Sequence, residues 1–542
     1  MKIINYIAKT IGWILIGLIC LVLIIMLALQ TKPVKRIITQ KVQVELNKIL
    51  DAELTLQSIE GNFFDGIGLN QVFLKQNSDT VGYIPFLKLK YRLLPLLKGS
   101  ILVNSVEMDN LIVYITQYGD SSWNFQKLIK PSEKTDTVPT PFTMKLNVEE
   151  IKINNGTFHI SSLDTIIPRR INNLNTDLSF RYAQDKLELD LRQLSFVALR
   201  PDLTMKNLAF NLKLDKEYIR LEDFVLQSAK NRITVNLQYD TKRLKSSFAD
   251  VSADSIQADE FSFLFPTLKI PAHPSLVLKT RFDKSNSTLK LDLKEKKESI
   301  SLLVQSENLV DYLNKTTTEP LNYTIEGDFS DIDLRHWIDD PSMQYKFTGK
   351  LTGEGRGIDP KTMQATLQGN FGNMILQKRQ IDKLNFDLDI VAGNLKGVVD
   401  GSGNFGRIRL TPHVKNIFDR NLSYNAAVVT EKLDLSALML DKDMKSDLNL
   451  RADIRGQGID PKTMTVKAKG DFKNASMYDF LMENLSFDLN YRSGNVKGKV
   501  NGAGNFGKIY AEPDIKRVMS RNPSYTAFIQ TENLNLASLL KN

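Results

Sequence analysis

The chain repeats itself at a fixed spacing of 101 residues. Gly357-Ile358-Asp359-Pro360-Lys361-Thr362-Met363 returns as Gly458-Ile459-Asp460-Pro461-Lys462-Thr463-Met464. Gly401-Ser402-Gly403-Asn404-Phe405-Gly406 returns as Gly502-Ala503-Gly504-Asn505-Phe506-Gly507, and Leu433-Asp434-Leu435 as Leu534-Asn535-Leu536. A partial third copy lies upstream, where Leu321-Asn322-Tyr323 precedes Leu422-Ser423-Tyr424 and Pro523-Ser524-Tyr525 at the same offset. A fixed period of this kind describes one supersecondary unit stacked on its own copies, because a single unit cannot bury its apolar face alone. Function is then expected on an extended surface.

Within and around the repeats the dominant period is two. Leu54-Thr55-Leu56, Leu87-Lys88-Leu89-Lys90-Tyr91, Leu187-Glu188-Leu189-Asp190-Leu191, Leu289-Lys290-Leu291-Asp292-Leu293 and Leu384-Asn385-Phe386-Asp387-Leu388-Asp389-Ile390 alternate apolar with polar residues. That pattern belongs to strands with one dry and one wet face. Asn154-Asn155-Gly156 and Ala392-Gly393-Asn394 are turn signals at hairpin spacing, so the body is read as antiparallel sheet. Each repeat closes with a short strand running into a helical turn, at 332–337, 433–438 and 534–539, with a weaker echo at 256–261. The helical turn would cover an end or edge of the sheet.

Ile11 to Leu29 contains no charged residue and is long enough for a helix of about 28 Å, the thickness of a bilayer core. Ile11, Trp13, Leu18, Leu23 and Leu29 mark this expected anchor, whose long apolar run and lack of a small-x-small site differ from a cleaved signal peptide. Lys2 and Lys9 precede it while Lys32, Lys35 and Arg36 follow it, so charge alone leaves its orientation open. Pro33 then starts an amphipathic helix with Ile37, Ile38, Val42, Leu46, Ile49 and Leu50 on its apolar positions, packed on the first sheet or lying on the membrane. The expected organisation is an anchor over 1–30, a helix-plus-sheet unit over 31–130, a linker or exposed loop over 131–142, and the repeating sheet over 143–542, clearest at 332–542.

No chemistry-bearing constellation emerges. The two Gly-x-Gly-x-x-Gly matches run into strand-like segments ending at Pro412 and Pro513, whereas a dinucleotide loop must open a helix. They read as turns, and no cofactor is expected. His159, His273, His336 and His413 are far apart and lack metal-ligand spacing, and the single cysteine, Cys20, lies in the apolar N-terminal run. Nucleophile elbow, Walker and zinc-protease motifs are missing from the sequence, so no enzyme is expected. The net charge of +9 is dispersed over 542 residues. Between Phe86 and Tyr91 the lysines, Lys88 and Lys90, stand on the strand face opposite Leu87, Leu89 and Tyr91, which is unsuited to binding nucleic acid.

The run Lys90-Tyr91-Arg92-Leu93-Leu94-Pro95-Leu96-Leu97-Lys98-Gly99-Ser100-Ile101, followed by Val106-Glu107-Met108, Ser122-Trp123-Asn124-Phe125 and Leu128, resembles the N-terminal signature of the AsmA-like/TamB family. Val148 to Gly156 is similar to the strand and turn that follow in that family. The resemblance covers roughly the first 160 residues. It implies a single-pass protein of a bacterial inner membrane, N-terminus in the cytoplasm and body in the periplasm. The body would be mainly β, an elongated, taco-like repeating β-groove with short helices. Phospholipid acyl chains would move along that groove between inner and outer membranes. It also implies a part in outer-membrane protein assembly with a barrel partner, although the chain ends at Asn542 without a recognisable segment for one.

A closed sandwich would explain the same alternation. A repeat that keeps one dry face copy after copy nevertheless makes a continuous apolar stripe. Leu384, Phe386 and Leu388, with their counterparts Leu485, Phe487 and Leu489, are the candidates for it, buried core being their alternative. Three readings follow: a lipid conduit, an assembly factor acting by strand addition, and a structural spacer.

Overall fold

The computed structural model describes residues 27–63, 66–77, 79–92, 100–128, 130, 145–183, 186–267, 269–283, 285–340, 342–478, 480–520 and 522–535. It is mainly β, with 64% of residues in strands and 10% in helices. Two compact units divide it, Met1–Arg243 with Ser247–Leu268, and Leu244–Ser246 with Lys269–Asn542.

The first unit opens with helix α1 (Lys32–Ile49), which carries Pro33 in its first turn. Ile38 and Val42 pack against Leu56, Ile59 and Val72, so the helix lies on the first sheet. Its dry stripe is narrower than the sequence suggested, because Ile37, Leu46 and Ile49 are exposed. Two contacts fasten its C-terminal end. The Asn47 side chain accepts from Leu54 N at 2.7 Å, and the Lys130 ammonium donates to the carbonyls of Asn47 and Lys48. A cation there satisfies terminal carbonyls and complements the helix dipole.

Strands β1 (Glu53–Thr55), β2 (Ser58–Gly61), β3 (Gly66–Gln76), β4 (Asp79–Arg92), β5 (Ser100–Asp109), β6 (Ile112–Thr116) and β7 (Lys145–Ser161) follow. The purely antiparallel expectation fails at β7, which runs parallel to both β5 and β6. Ser100 faces Lys145 and Thr116 faces Ser161, so β5 and β6 are collinear halves lying along one long strand in one register. A parallel return needs a long crossover. Residues 117–144 supply it, and the linker segment 131–142 falls within them, outside the described residues. The strands on either side of it therefore belong to one sheet, and the compact division falls later, between Leu268 and Lys269. Strands β8 (Arg170–Ala183), β9 (Lys186–Leu199), β10 (Leu203–Leu214), β11 (Tyr218–Ser228), β12 (Arg232–Asp240) and β13 (Phe248–Ala253) complete the unit as an antiparallel meander. The echo at 256–261 ends in a short 3-10 turn, Ala258–Phe261.

The second unit is a longer meander. It runs through β14 (Ser275–Arg281), β15 (Ser287–Glu295), β16 (Glu298–Ser306), β17 (Asn322–Asp333), β18 (Tyr345–Arg356), β19 (Gln364–Leu376), β20 (Arg379–Val391), β21 (Asn394–Gly403), β22 (Gly406–Lys415) and β23 (Ser423–Glu431). The second copy contains β24 (Ser446–Asp447), β25 (Leu450–Gln457), β26 (Thr465–Met477), β27 (Phe480–Arg492), β28 (Asn495–Gly504), β29 (Gly507–Lys516) and β30 (Ser524–Glu532). From β19 to β23 every strand boundary recurs 101 residues later, while β18 returns split into β24 and β25. Short helices α2 (Leu309–Leu313), α3 (Leu334–Trp337) and α4 (Leu435–Met439) sit between strands, the last two at the expected closing turns.

The repeated motifs are the corners of this meander. Asp359 and Asp460 accept from Lys361 N and Lys462 N through their side chains and from Met363 N and Met464 N through their carbonyls, a local turn that Pro360 and Pro461 pre-set. The Gly-x-Gly-x-x-Gly segments are hairpins in which Gly403 faces Gly406 and Gly504 faces Gly507. Gly406 and Gly507 adopt φ of 91° and 93°. A Cβ on Gly403 or Gly504 would lie 2.1 Å from Gln380 O or 2.0 Å from Leu481 O, so each hairpin excludes a side chain where it crosses the neighbouring strand.

Among the described residues, no helix is long and apolar enough to cross a membrane. Ile11, Trp13, Leu18 and Leu23 of the expected anchor lie outside the described residues, and Leu29 is helical and half-buried just before α1.

Candidate functional site

Alternation in each strand places the apolar residues of the second unit on one face, and hairpin register decides whether those faces align. They do. Leu278, Leu291, Leu302, Gly327, Leu351, Gly369, Phe386, Val399, Leu410 and Val428 stand in line across β14 to β23. The line continues through Ala452, Gly470, Phe487, Val500, Ala511 and Ile529 across β25 to β30. Sixteen strands thus contribute one residue each to a row without a charge or a hydroxyl. Flanking rows on the same face hold Leu384, Ile408 and Leu485 on one side and Leu388, Ile454 and Leu489 on the other.

The opposite face is polar in the same register. Asp292, Ser301, Asp328, Lys350, Asn370, Asn385, Asp400 and Arg409 face one another in sequence. Cross-strand ion pairs join Lys350 to Asp328 at 3.3 Å, Arg407 to Asp400 at 2.7 Å, Lys497 to Asp514 at 2.8 Å and Lys499 to Glu512 at 3.4 Å. The Arg407 guanidinium holds the Asp400 carboxyl below the usual carboxylate range. These pairs fix register more than they stabilise, since exposed pairs contribute about 0–1 kcal/mol.

Leu384, Phe386, Leu388, Leu485, Phe487 and Leu489 are all half-buried. Each is shielded sideways by its cross-strand neighbours and none belongs to the fully buried core. The Phe386 ring lies over Gly369, where a Cβ would come within 2.2 Å of it, and stacks on Phe371 at 6.1 Å. Phe487 meets Phe472 at 5.7 Å in the second copy. Glycine in a strand weakens it unless something fills the space, and an aromatic from the next strand does so here.

At the rim carrying the closing turns the face is plugged. Met374, Ile381, Phe405, Leu433, Leu448 and Ala475 form a buried cluster against which Leu384 and α4 pack. Leu384 therefore borders a core, while Phe386 and Leu388 lie farther along the strand. The α3 closure is fastened differently. Glu298 is 4% exposed and accepts from Trp337 Nε1 at 2.6 Å and from Asp333 N at 3.3 Å, with His336 Nδ1 at 2.5 Å. Asp333, 3% exposed, pairs with Arg335 at 2.7 Å and Lys346 at 3.0 Å, which hold its carboxyl well below the usual range. Neither Phe405 nor Glu298 stood out in the sequence. The conserved Asn-Phe inside both Gly-x-Gly-x-x-Gly segments was the available signal for the first, since an apolar residue at a two-residue turn has to be buried by something.

Among the described residues no group of histidine, cysteine and carboxylate side chains is arranged to hold a metal. His159 stacks on Tyr114 at 4.8 Å, and His413 sits on the polar face opposite Lys396 and Asn425. A cavity of about 700 Å³ opens at the other rim, lined by strand ends that include Tyr323, Gly355, Glu354, Arg356, Asp389 and Lys396. Comparison of the chain with protein-family models, with curated proteins and with solved structures returned no match in any of the three.

Proposed function

We propose that the protein is a membrane-anchored conduit that carries phospholipid acyl chains along the apolar row of its second unit. The observation that carries this reading is the uninterrupted register of uncharged residues from Leu278 to Ile529, half-buried apart from the buried Gly327, Gly369 and Ala452 and the exposed Ile529. At ~4.8 Å per strand, sixteen strands give roughly 75 Å of such surface. An acyl chain on it would keep its methylenes against leucine, phenylalanine and valine while its headgroup stayed in water. Sliding would exchange one apolar contact for an equivalent one, so transport would need a low barrier and no reacting group. The signature around Tyr91 and Trp123 adds the expected setting, an inner-membrane anchor at Ile11–Leu29 with the body in the periplasm and transfer towards an outer membrane. A further role in outer-membrane protein assembly rests on that resemblance alone.

Photocrosslinking tests the reading. A benzophenone side chain at Phe386 or Phe487 of the full chain, expressed in cells with labelled phospholipid, should capture lipid. The same group at Asn385 or Asn501 on the polar face should not. Equal capture at both faces, or none at Phe386 and Phe487, refutes the conduit.

A further inference from the structure

Charge on the polar face of the first unit is uneven, and strand register shows where. Ile67, Leu69 and Leu87 pack on the α1 side of the sheet, so Lys88, Lys90 and Arg92, at alternate positions of β4, stand on the other face. Lys88 lies between two carboxylates. Gly68 separates it from Glu60 on β2, and Glu107 on β5 approaches it at 3.9 Å. Lys90 instead lies between Gly66 and Ser105, neither of them charged. Among the described residues neither Lys90 nor Arg92 makes an ion pair.

The same two glycines hollow the face at this point. The Phe86 ring lies down over Gly68, 3.0 Å from where a Cβ would stand, and the Lys90 stem lies over Gly66 with its Cγ at 3.3 Å. The hollow between β2 and β4 is a cavity of about 570 Å³ whose lining includes Glu60, Gly61, Lys88, Lys90, Arg92 and Asn104. Glu60 is engaged by the Asn70 amide, which donates to it at 2.8 Å. Concave walls focus the field of the two unpaired cations. The geometry points to this cavity as a binding site for a doubly charged phosphate group, a phosphomonoester or a diphosphate. Lys90 and Arg92 are two residues, about 7 Å, apart along the strand, a separation that two long side chains close onto one phosphate. The Arg92 guanidinium takes two phosphate oxygens side by side and the Lys90 ammonium a third. A carboxylate or a phosphodiester, singly charged, leaves one cation unmatched. Phosphatidic acid and soluble diphosphates present the same group. The site belongs to the first unit and stands independently of lipid carriage on the second.

Calorimetric titration of the full chain in neutral detergent tests this with three probes: inorganic diphosphate, short-chain phosphatidic acid, and phosphatidylcholine with the same acyl chains. Saturable binding of diphosphate, or tighter binding of phosphatidic acid than of phosphatidylcholine, is the expected result. Diphosphate alone identifies a soluble ligand, and phosphatidic acid alone identifies a lipid headgroup. Lys90→Gln and Arg92→Gln should each weaken that binding roughly tenfold or more, and Lys90→Arg should restore most of it. Both positions are exposed, so the variants keep their fold, which hydrogen exchange of β3 and β4 checks. Lys350→Gln, which removes a cation already paired with Asp328 in the second unit, should bind as the parent does. Phosphatidylcholine bound as tightly as phosphatidic acid supports the apolar row and not this cavity. The inference is overturned if diphosphate fails to bind and the two lipids bind equally, if binding survives both Lys90→Gln and Arg92→Gln, or if Lys350→Gln weakens it as much as they do.

Discussion

A single carboxylate in the apolar row should slow lipid movement by an amount that strand geometry sets. Phe386 stands between Gly369 and Val399, so Phe386→Asp exposes a glycine floor and lets water in across one strand. One strand spacing of ~4.8 Å spans roughly four methylenes. Each is worth about 0.8 kcal/mol when fully withdrawn from water, and a chain lying on a sheet has about half its surface covered, which gives a barrier near 1.6 kcal/mol. Transfer should therefore fall about tenfold. Phe386→Asp with Phe487→Asp should cost only about twofold more, because two equal barriers in series add as resistances. The assay is transfer of a fluorescent phospholipid from vesicles containing the full chain to acceptor vesicles, with folding checked by hydrogen exchange. Asn385→Asp, one residue away on the polar face, is the control and should transfer at the parent rate. Parent-rate transfer by Phe386→Asp would refute the reasoning, as would equal slowing by Asn385→Asp.

Phe405→Ala should open a cavity beneath α4 and destabilise the α4 closure by about 3–5 kcal/mol, seen as faster hydrogen exchange in β20 and β22 while β14 and β15 keep theirs. Gly403→Ala puts a methyl against Gln380 O and should cost about 1–3 kcal/mol, with Gly504→Ala doing the same at Leu481 O; thermal unfolding followed by circular dichroism measures both. The depressed carboxyl of Asp333 contributes stability that is present above the usual carboxylate range and is lost as pH falls below about 4. Protection of α3 should fall on acidification through that range, and Asp333→Asn should remove the dependence at a cost of about 1–3 kcal/mol.

The spacing of 101 residues and the period-two alternation between them determine strand number, strand limits and the dry face from β18 onward, since each is a local property of the chain. Leu384, Phe386 and Leu388 could be placed on one face for the same reason. Whether that face was core depended on what packs above it, and the answer differs along one strand: Leu384 borders the Phe405 cluster and Phe386 does not. The parallel pairing of β7 was illegible because no periodicity distinguishes a strand returning after a long crossover from one returning through a hairpin. The Glu298–Asp333 fastening was hidden for a related reason. Its partners are 35 residues apart, and each looks like an ordinary polar residue at a strand end.

An even number of strands per repeat is what allows the arrangement to extend. Six antiparallel strands, β18 to β23, return the chain to its starting direction. Every closing turn then falls on the same rim as the Phe405 and Phe506 hairpins, and every Asp-Pro corner on the other. An odd number would send successive plugs to alternate rims, even though the dry face stayed on one side. The plugs anchor only one margin of the face, so a second copy lengthens the apolar row by about 29 Å at ~4.8 Å per strand without closing it. The two closures reach this end with different chemistry. Around α4 the buried cluster is apolar and one capping carboxylate, Asp434, is held below the usual range by Ser436 and Ser446, whereas around α3 the closure is itself a carboxylate network, so acid should loosen the face most at β16 and β17 and leave the Phe405 cluster packed.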